Sequence, residues 1–155
     1  MENIKLYTLG FAFTEDKKWV LLIRKDKDDW QKGLLNGLGG KLHKGETVNI
    51  GMQREFKEES GVLIPADEWG YFGKMENDEW CVYMFRIFTN AINRFIPDKI
   101  THECVGVQHK EGNIQAHKVS RIKYEKPISN LNWIIPLALD ISLSEYIVTG
   151  QINTE

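Results

Sequence analysis

Hydrophobic and polar positions along this chain follow two different periods. Residues 4 to 13 (IKLYTLGFAF) and 19 to 25 (WVLLIRK) are apolar and partly alternating, and the polar stretch Thr14 to Lys18 between them predicts a turn, hence a β-hairpin. Residues 26 to 36 are polar and lead into the glycine-dense run Asn36-Gly37-Leu38-Gly39-Gly40, which reads as a functional loop where backbone can approach a ligand closely. From Thr47 to Ser60 the period becomes helical. Thr47 suits an N-cap, Val48, Met52 and Phe56 recur every four residues, and Gly61 suits the stop. Strands are predicted over 62–64, 70–75 and 80–89, the last broken by Arg86, with a further strand over 116–124 and a closing helix over 130–146. Strands mixed with two helices predict an α/β or α+β class.

Composition narrows this picture. A chain of 155 residues, 27% charged and 42% hydrophobic, suits one folded domain, and no repeat or low-complexity tract divides it, so residues 1–155 are expected to form a single domain. A formal charge of -2 gives no general electrostatic reason to bind nucleic acid or anionic membrane, although it leaves room for a local basic patch. No apolar run approaches the roughly 20 residues of a membrane helix, and the first residues lack the basic-then-apolar plan of a secretory signal. A cytoplasmic location is the expectation. Cys81 and Cys104, far apart and without a CxxC or His-rich neighbourhood, read as reduced thiols.

The chemistry concentrates on the 47–60 helix. At about 100° per residue, Glu55, Glu58 and Glu59 share one sector roughly 100° wide, beside the Val48, Met52, Phe56 stripe that should be buried. Carboxylates gathered at the edge of a core are costly unless protons or cations neutralise them, and hard oxygen donors suit Mg²⁺ or Mn²⁺. Taken alone, the cluster also fits a solvated acidic face paired with lysines such as Lys57. The wider pattern decides between them. Residues 40 to 62, GKLHKGETVNIGMQREFKEESGV, fit G-x5-E-x7-R-E-U-x-E-E-x-G-U at every specified position, U being apolar: Gly40, Glu46, Arg54, Glu55, Phe56, Glu58, Glu59, Gly61 and Val62. An accidental match in such a chain has odds on the order of 10⁻⁷ or less.

This 23-residue stretch resembles the signature box of the Nudix hydrolase superfamily. The resemblance implies an α/β/α sandwich with a mixed central sheet, built around the box loop-helix-loop. It also implies Mg²⁺- or Mn²⁺-dependent hydrolysis of a diphosphate linkage in a nucleotide-like molecule. Carried over by position, Glu55, Glu58 and Glu59 are the expected metal-binding carboxylates, one of them also helping to deprotonate water, and the Gly39 carbonyl is an expected further ligand. Glu46 and Arg54 are the expected buried ion pair that orients the glutamates.

Substrate clues lie outside the box. The run Leu35-Asn36-Gly37-Leu38-Gly39-Gly40-Lys41 is similar to MutT-type members that sanitise oxidised purine nucleoside triphosphates such as 8-oxo-dGTP, and Asn36 matches their purine-contacting asparagine. Residues 127 to 136 (PISNLNWIIP) resemble the segment that closes the base pocket in those enzymes, with Asn130 and Asn132 where they carry acids. Trp30 and Trp133 suit either base stacking or plain packing, and Arg24 and Lys25 either phosphate contact or solvation. His43, His102, His109 and His117 read as solvated or structural, while Glu103 and Glu111 are loose candidates for an additional acid. Other readings are hydrolysis of ADP-ribose or a dinucleoside polyphosphate, cleavage of an RNA 5′ end, or a non-catalytic nucleotide sensor. The expected partner is a nucleotide-like small molecule, with no membrane and no nucleic acid beyond such an RNA end, for a monomer or homodimer.

Overall fold

A computed structural model describes residues 3–97, 106–142 and 145–149. The expected calls on His102, Glu103 and Cys104 lie outside the described residues. Strands β1 (Lys5–Phe13) and β2 (Trp19–Lys25) form where the alternation predicts them, and Asp16 Oδ1 ties the turn by accepting from the Thr14 hydroxyl and the Lys18 N–H. The two strands pair at Phe13 and Val20 and then diverge. Into the gap enters the glycine-dense run as two short strands. β3 (Leu35–Asn36) pairs with β2, and β4 (Leu38–Lys41) pairs with β1 over Tyr7 to Gly10. The expected loop is therefore sheet, because glycine permits it: a Cβ on Gly39 would lie 2.0 Å from the Thr8 carbonyl oxygen.

Helix α1 (Val48–Ser60) follows, capped by the Thr47 hydroxyl accepting from the Ile50 N–H and ended by Gly61 at φ 77°. Residues 62–64, expected as a strand, belong to no ladder. They serve instead to bury Ile64, and Pro65 opens a 3₁₀ turn at Ala66–Glu68. β5 (Gly70–Glu76) and β6 (Trp80–Phe88) form an antiparallel pair, and β6 lies parallel to β1 along its whole length. After β7 (Val107–His109), the strand expected over 116–124 is displaced: β8 is Gly112–Lys118, and Val119–Tyr124 coils into a 3₁₀ segment.

The closing helix is also shorter than expected. α2 spans Leu131–Leu139 because Asp140 turns extended and binds Ser142 through its carboxylate, while Arg86 donates to the carbonyls of Leu137, Ala138 and Asp140. Arg86, an interruption in the β6 pattern, is thus the cap of α2. Residues 146–149, the first of them expected in the helix, form β9 (Tyr146–Thr149), parallel to β5.

Among the described residues the result is a nine-stranded mixed sheet, with path order β7-β8-β2-β1-β6-β5-β9. On one face Leu9, Phe11, Phe13, Val20 and Leu22 pack with Leu131, Ile134, Ile135 and Ala138 of α2. On the other, Ala12, Leu21, Ile23 and Leu38 pack with Met52 and Phe56 of α1. Both faces of β1 and β2 are covered, which is why their alternation was only partial. The α/β/α sandwich is the observed fold.

Candidate active site

α1 lies against β4, so the glutamates of the helix meet the glycines of the strand. Glu59 is 3% exposed, and its Oε1 accepts the Gly39 N–H at 2.8 Å. Its Oε2 is buried with no partner. Burial pushes the Glu59 carboxyl up to about 8, reinforced by the negative charges of Glu55 and Glu111 and opposed by Lys25 and the Gly39 N–H. One turn earlier, Glu55 packs on the bare α-carbon of Gly40, where a Cβ would fall 2.6 Å from the carboxylate. The glycine makes room for the acid, a role the sequence suggested only through its glycine density.

Arg54 organises the surrounding charge. Its Nε donates to Glu46 Oε1 at 2.7 Å and its Nη2 to Glu46 Oε2 at 2.9 Å, a two-pronged pair. The same guanidinium reaches Glu55 at 2.8 Å, the Lys41 carbonyl at 3.1 Å and Glu58 at 3.3 Å. Glu46 also accepts the His43 N–H, and the Arg54 hydrogen bonds hold its carboxyl down at about 2 despite burial. The expected ion pair is in place. Glu58 is the exposed member of the trio, with a side chain 53% accessible.

Among the described residues, no three His, Cys, Asp or Glu side chains converge closely enough to enclose a cation in this conformation, in which Arg54 holds Glu55 and Glu58. The donor set nevertheless fits one. Glu59 presents a buried, unpartnered carboxylate oxygen toward like charges, an arrangement that a divalent cation neutralises. Gly39 meets the site through its N–H, which Glu59 accepts.

Glu111, the one of the two loose acid candidates that lies among the described residues, sits in the β7–β8 turn. It pairs with Lys27 at 2.7 Å and Lys25 at 3.5 Å, and Lys27 first among these holds its carboxyl below the usual range. Lys25 thus pairs with Glu111 and also acts electrostatically on Glu59. Arg24, on the opposite face of β2, braces instead: its Nη1 donates to the carbonyls of Gly33 and Glu125, and its Nη2 pairs with Glu125 at 3.7 Å.

The remaining sequence candidates disperse. Asn36 spends its Oδ1 on the Gly37 N–H and its Nδ2 on Gln31 at 3.4 Å. Asn130 lies against Met75 on the α2 face with its Oδ1 buried and unpartnered. Trp30, 68% exposed, and Trp133, 37% exposed, make no hydrogen bond or ring contact with the carboxylates among the described residues. His43 is exposed, and His109 accepts the Glu111 N–H. His117 is buried, which pushes its imidazole down to about 4.

A family profile described as the NUDIX domain matches residues 6–125. The chain belongs to the Nudix family. Among curated relatives, an oxidized purine nucleoside triphosphate hydrolase of Mus musculus is 36% identical over 64 residues, which cover 41% of this chain and 39% of the relative. The Nudix hydrolase YvcI of Bacillus subtilis is 30% identical over 112 residues, 71% of this chain and 63% of its own length. This Nudix chain thus spans less than two thirds of either relative. Among solved structures, a MutT protein from Bacillus halodurans superposes with TM-score 0.67 at 18% identity, covering 94% of this chain and 91% of that one. The NUDIX domain of Shewanella oneidensis NrtR, complexed with ADP ribose, gives TM-score 0.67 at 13% identity over 89% of this chain and 88% of its own. At these identities the structural likeness speaks for the fold alone.

Proposed function

We propose that this chain is a Nudix pyrophosphohydrolase that cuts a diphosphate linkage in a nucleoside triphosphate or related nucleoside diphosphate derivative. The observation that carries the reading is the Glu59 carboxylate, buried, half-satisfied by Gly39 and facing Glu55 and Glu111. Glu55, Glu58 and Glu59 are the side chains that would hold Mg²⁺ or Mn²⁺. Such an ion supplies neutralisation of phosphate charge and acidification of water. The protein's own residues do the rest. Arg54, fixed by Glu46, sets the positions of Glu55 and Glu58, and Lys25 presents a cation to Glu59. One of these glutamates would also accept a proton from the water as that water bonds to phosphorus and the bridging P–O bond breaks.

Within that class, we take an oxidised purine nucleoside triphosphate, 8-oxo-dGTP among them, as the first substrate to test. Asn36 in its Leu-Asn-Gly-Leu-Gly-Gly setting and the name of the Mus musculus relative support it. The reading treats the chain as one catalytic domain of a cytoplasmic monomer or homodimer; among the described residues, no helix is long and apolar enough to cross a membrane. A panel of canonical and oxidised triphosphates, ADP-ribose, dinucleoside polyphosphates and 5′-triphosphorylated RNA, assayed with Mg²⁺ and with Mn²⁺, tests it. Turnover of at least one of them is expected, read as pyrophosphate or phosphate release from a triphosphate and as release of a nucleotide from ADP-ribose or a dinucleoside polyphosphate. No turnover of any would leave a nucleotide-sensing module as the better account.

A further inference from the structure

We infer that a basic surface running from the β1–β2 turn along residues 118–126 binds single-stranded nucleic acid. It begins at a cavity of about 470 Å³ lined by Lys17, Lys18, Trp19, Lys118, Val119 and Ser120, at the end of β2 away from Lys25. From there the 3₁₀ segment Val119–Tyr124 carries the surface back along the sheet. Its period of three turns Val119 and Ile122 inward onto the α2-face core, and Glu125 follows them to Arg24. Lys118, Arg121, Lys123, Tyr124 and Lys126 are left exposed.

Charge is concentrated here by placement, since the whole chain carries -2. Across the β1–β2 turn and residues 118–126 six cations stand against three carboxylates, Glu15, Asp16 and Glu125, of which Asp16 is engaged by the Thr14 hydroxyl and the Lys18 N–H and Glu125 is paired with Arg24. Among the described residues none of the six makes an ion pair, although Lys25, Lys27, Lys32, Lys74 and Arg54 all do. Aromatic rings alternate with these cations. Lys118 lies 5.6 Å over Trp19 and Lys123 lies 5.0 Å over Tyr124, whose ring is 69% exposed. Unpaired cations beside the exposed Tyr124 ring and the partly buried Trp19 match a polyphosphate backbone carrying stackable bases. A mononucleotide would occupy the cavity and leave Arg121 to Lys126 unused.

The surface ends at β3. Leu35 donates to the Lys126 carbonyl at 3.0 Å, and Leu35 precedes Asn36. Alongside β2, at about 3.3 Å per residue, the surface extends roughly 20 Å.

The test is fluorescence anisotropy with a labelled 5′-hydroxyl RNA of about twelve nucleotides, whose affinity should fall with salt by about 0.7 log units per log unit for each phosphate contacted. That probe carries no diphosphate bond, so its binding is measured independently of whether the chain is a hydrolase. Lys118→Glu with Arg121→Glu should weaken binding at least tenfold and flatten the salt dependence, while Lys5→Glu, on the edge of β1, leaves it unchanged. Hydrolysis of free nucleotides should persist in the double variant. The inference is overturned by equal affinity in the double variant, by RNA binding no tighter than a mononucleotide, or by equally tight binding of an acidic peptide, which would make the surface a protein-docking site.

Discussion

The Glu59 carboxylate and the Gly39 N–H meet at 2.8 Å across twenty residues of sequence, joining the last turn of α1 to the strand wedged between β1 and β2. This bond anchors one oxygen of a carboxylate that burial alone would keep neutral, and leaves the other without any partner. A group in that position is costly to fold and useful once a cation is beside it.

Replacing Glu59 with Gln should therefore lower turnover of the best substrate by at least about a hundredfold, as expected for loss of a charged group acting at the reacting centre. The fold should survive, because the amide oxygen can still accept from Gly39. Pyrophosphate release alongside near-ultraviolet circular dichroism checks both halves. Unchanged turnover with an intact spectrum would remove Glu59 from the site.

The same substitution makes a pH prediction for chelator-treated protein. Glu59 titrates near 8 in the fold against 4.5 ordinarily, so the folded state holds a proton that the unfolded chain has released. Its contribution to stability is full below about 4.5 and is lost as pH rises toward 8, on the order of a few kcal/mol. Urea midpoints of wild type and Glu59→Gln should accordingly be closest in acid, with the variant gaining on wild type through pH 8. Parallel pH profiles would contradict the buried, protonated carboxyl.

How much of this was legible beforehand follows from where the physics is local. The α1 helix and its Thr47 and Gly61 caps are spelled locally, so pattern alone located them, while the Glu46–Arg54 pair was expected from the resemblance of the 23-residue stretch to the Nudix box. The glycine strands were missed because β3 and β4 are made by what they fit between, Thr8 above and Glu55 beside, and not by their own apolar content. α2 was overextended because its end is set by Arg86 from a distant strand. Glu111 likewise reaches the site only through the β7–β8 turn and two lysines more than eighty residues away.

Arg54 should tolerate no simple charge-conserving replacement. Arg54→Ala strands Glu46, 9% accessible, and Glu55, 15% accessible, without their shared cation, and should cost about 3 kcal/mol by urea denaturation. Arg54→Lys keeps the charge but not the planar fork that serves Glu46, Glu55 and the Lys41 carbonyl together, so turnover should still fall ten- to a hundredfold, by about the effect of losing an outer-shell partner. Glu46→Gln gives the opposite pH signature to Glu59. The Glu46 carboxyl lies near 2 in the fold, so its stabilisation is present above about 4.5 and lost as pH falls toward 2. Wild type should thus lose its advantage over Glu46→Gln on acidification.

Two adjacent glycines separate site from scaffold. A methyl group on Gly39 would stand 2.0 Å from the Thr8 carbonyl oxygen, fixed backbone of the neighbouring strand that cannot yield without opening the β1–β4 ladder. Gly39→Ala should therefore destabilise the protein by about 3 kcal/mol or prevent its folding. On Gly40 the same methyl group meets only the Glu55 carboxylate, at 2.6 Å, the mobile end of a side chain that can swing aside. Gly40→Ala should keep its urea midpoint within about 1 kcal/mol of wild type. Its turnover should nonetheless fall at least about tenfold, because the acid is displaced from where Arg54 and Glu59 need it. Loss of stability without loss of activity in Gly40→Ala would place Glu55 outside the reacting centre.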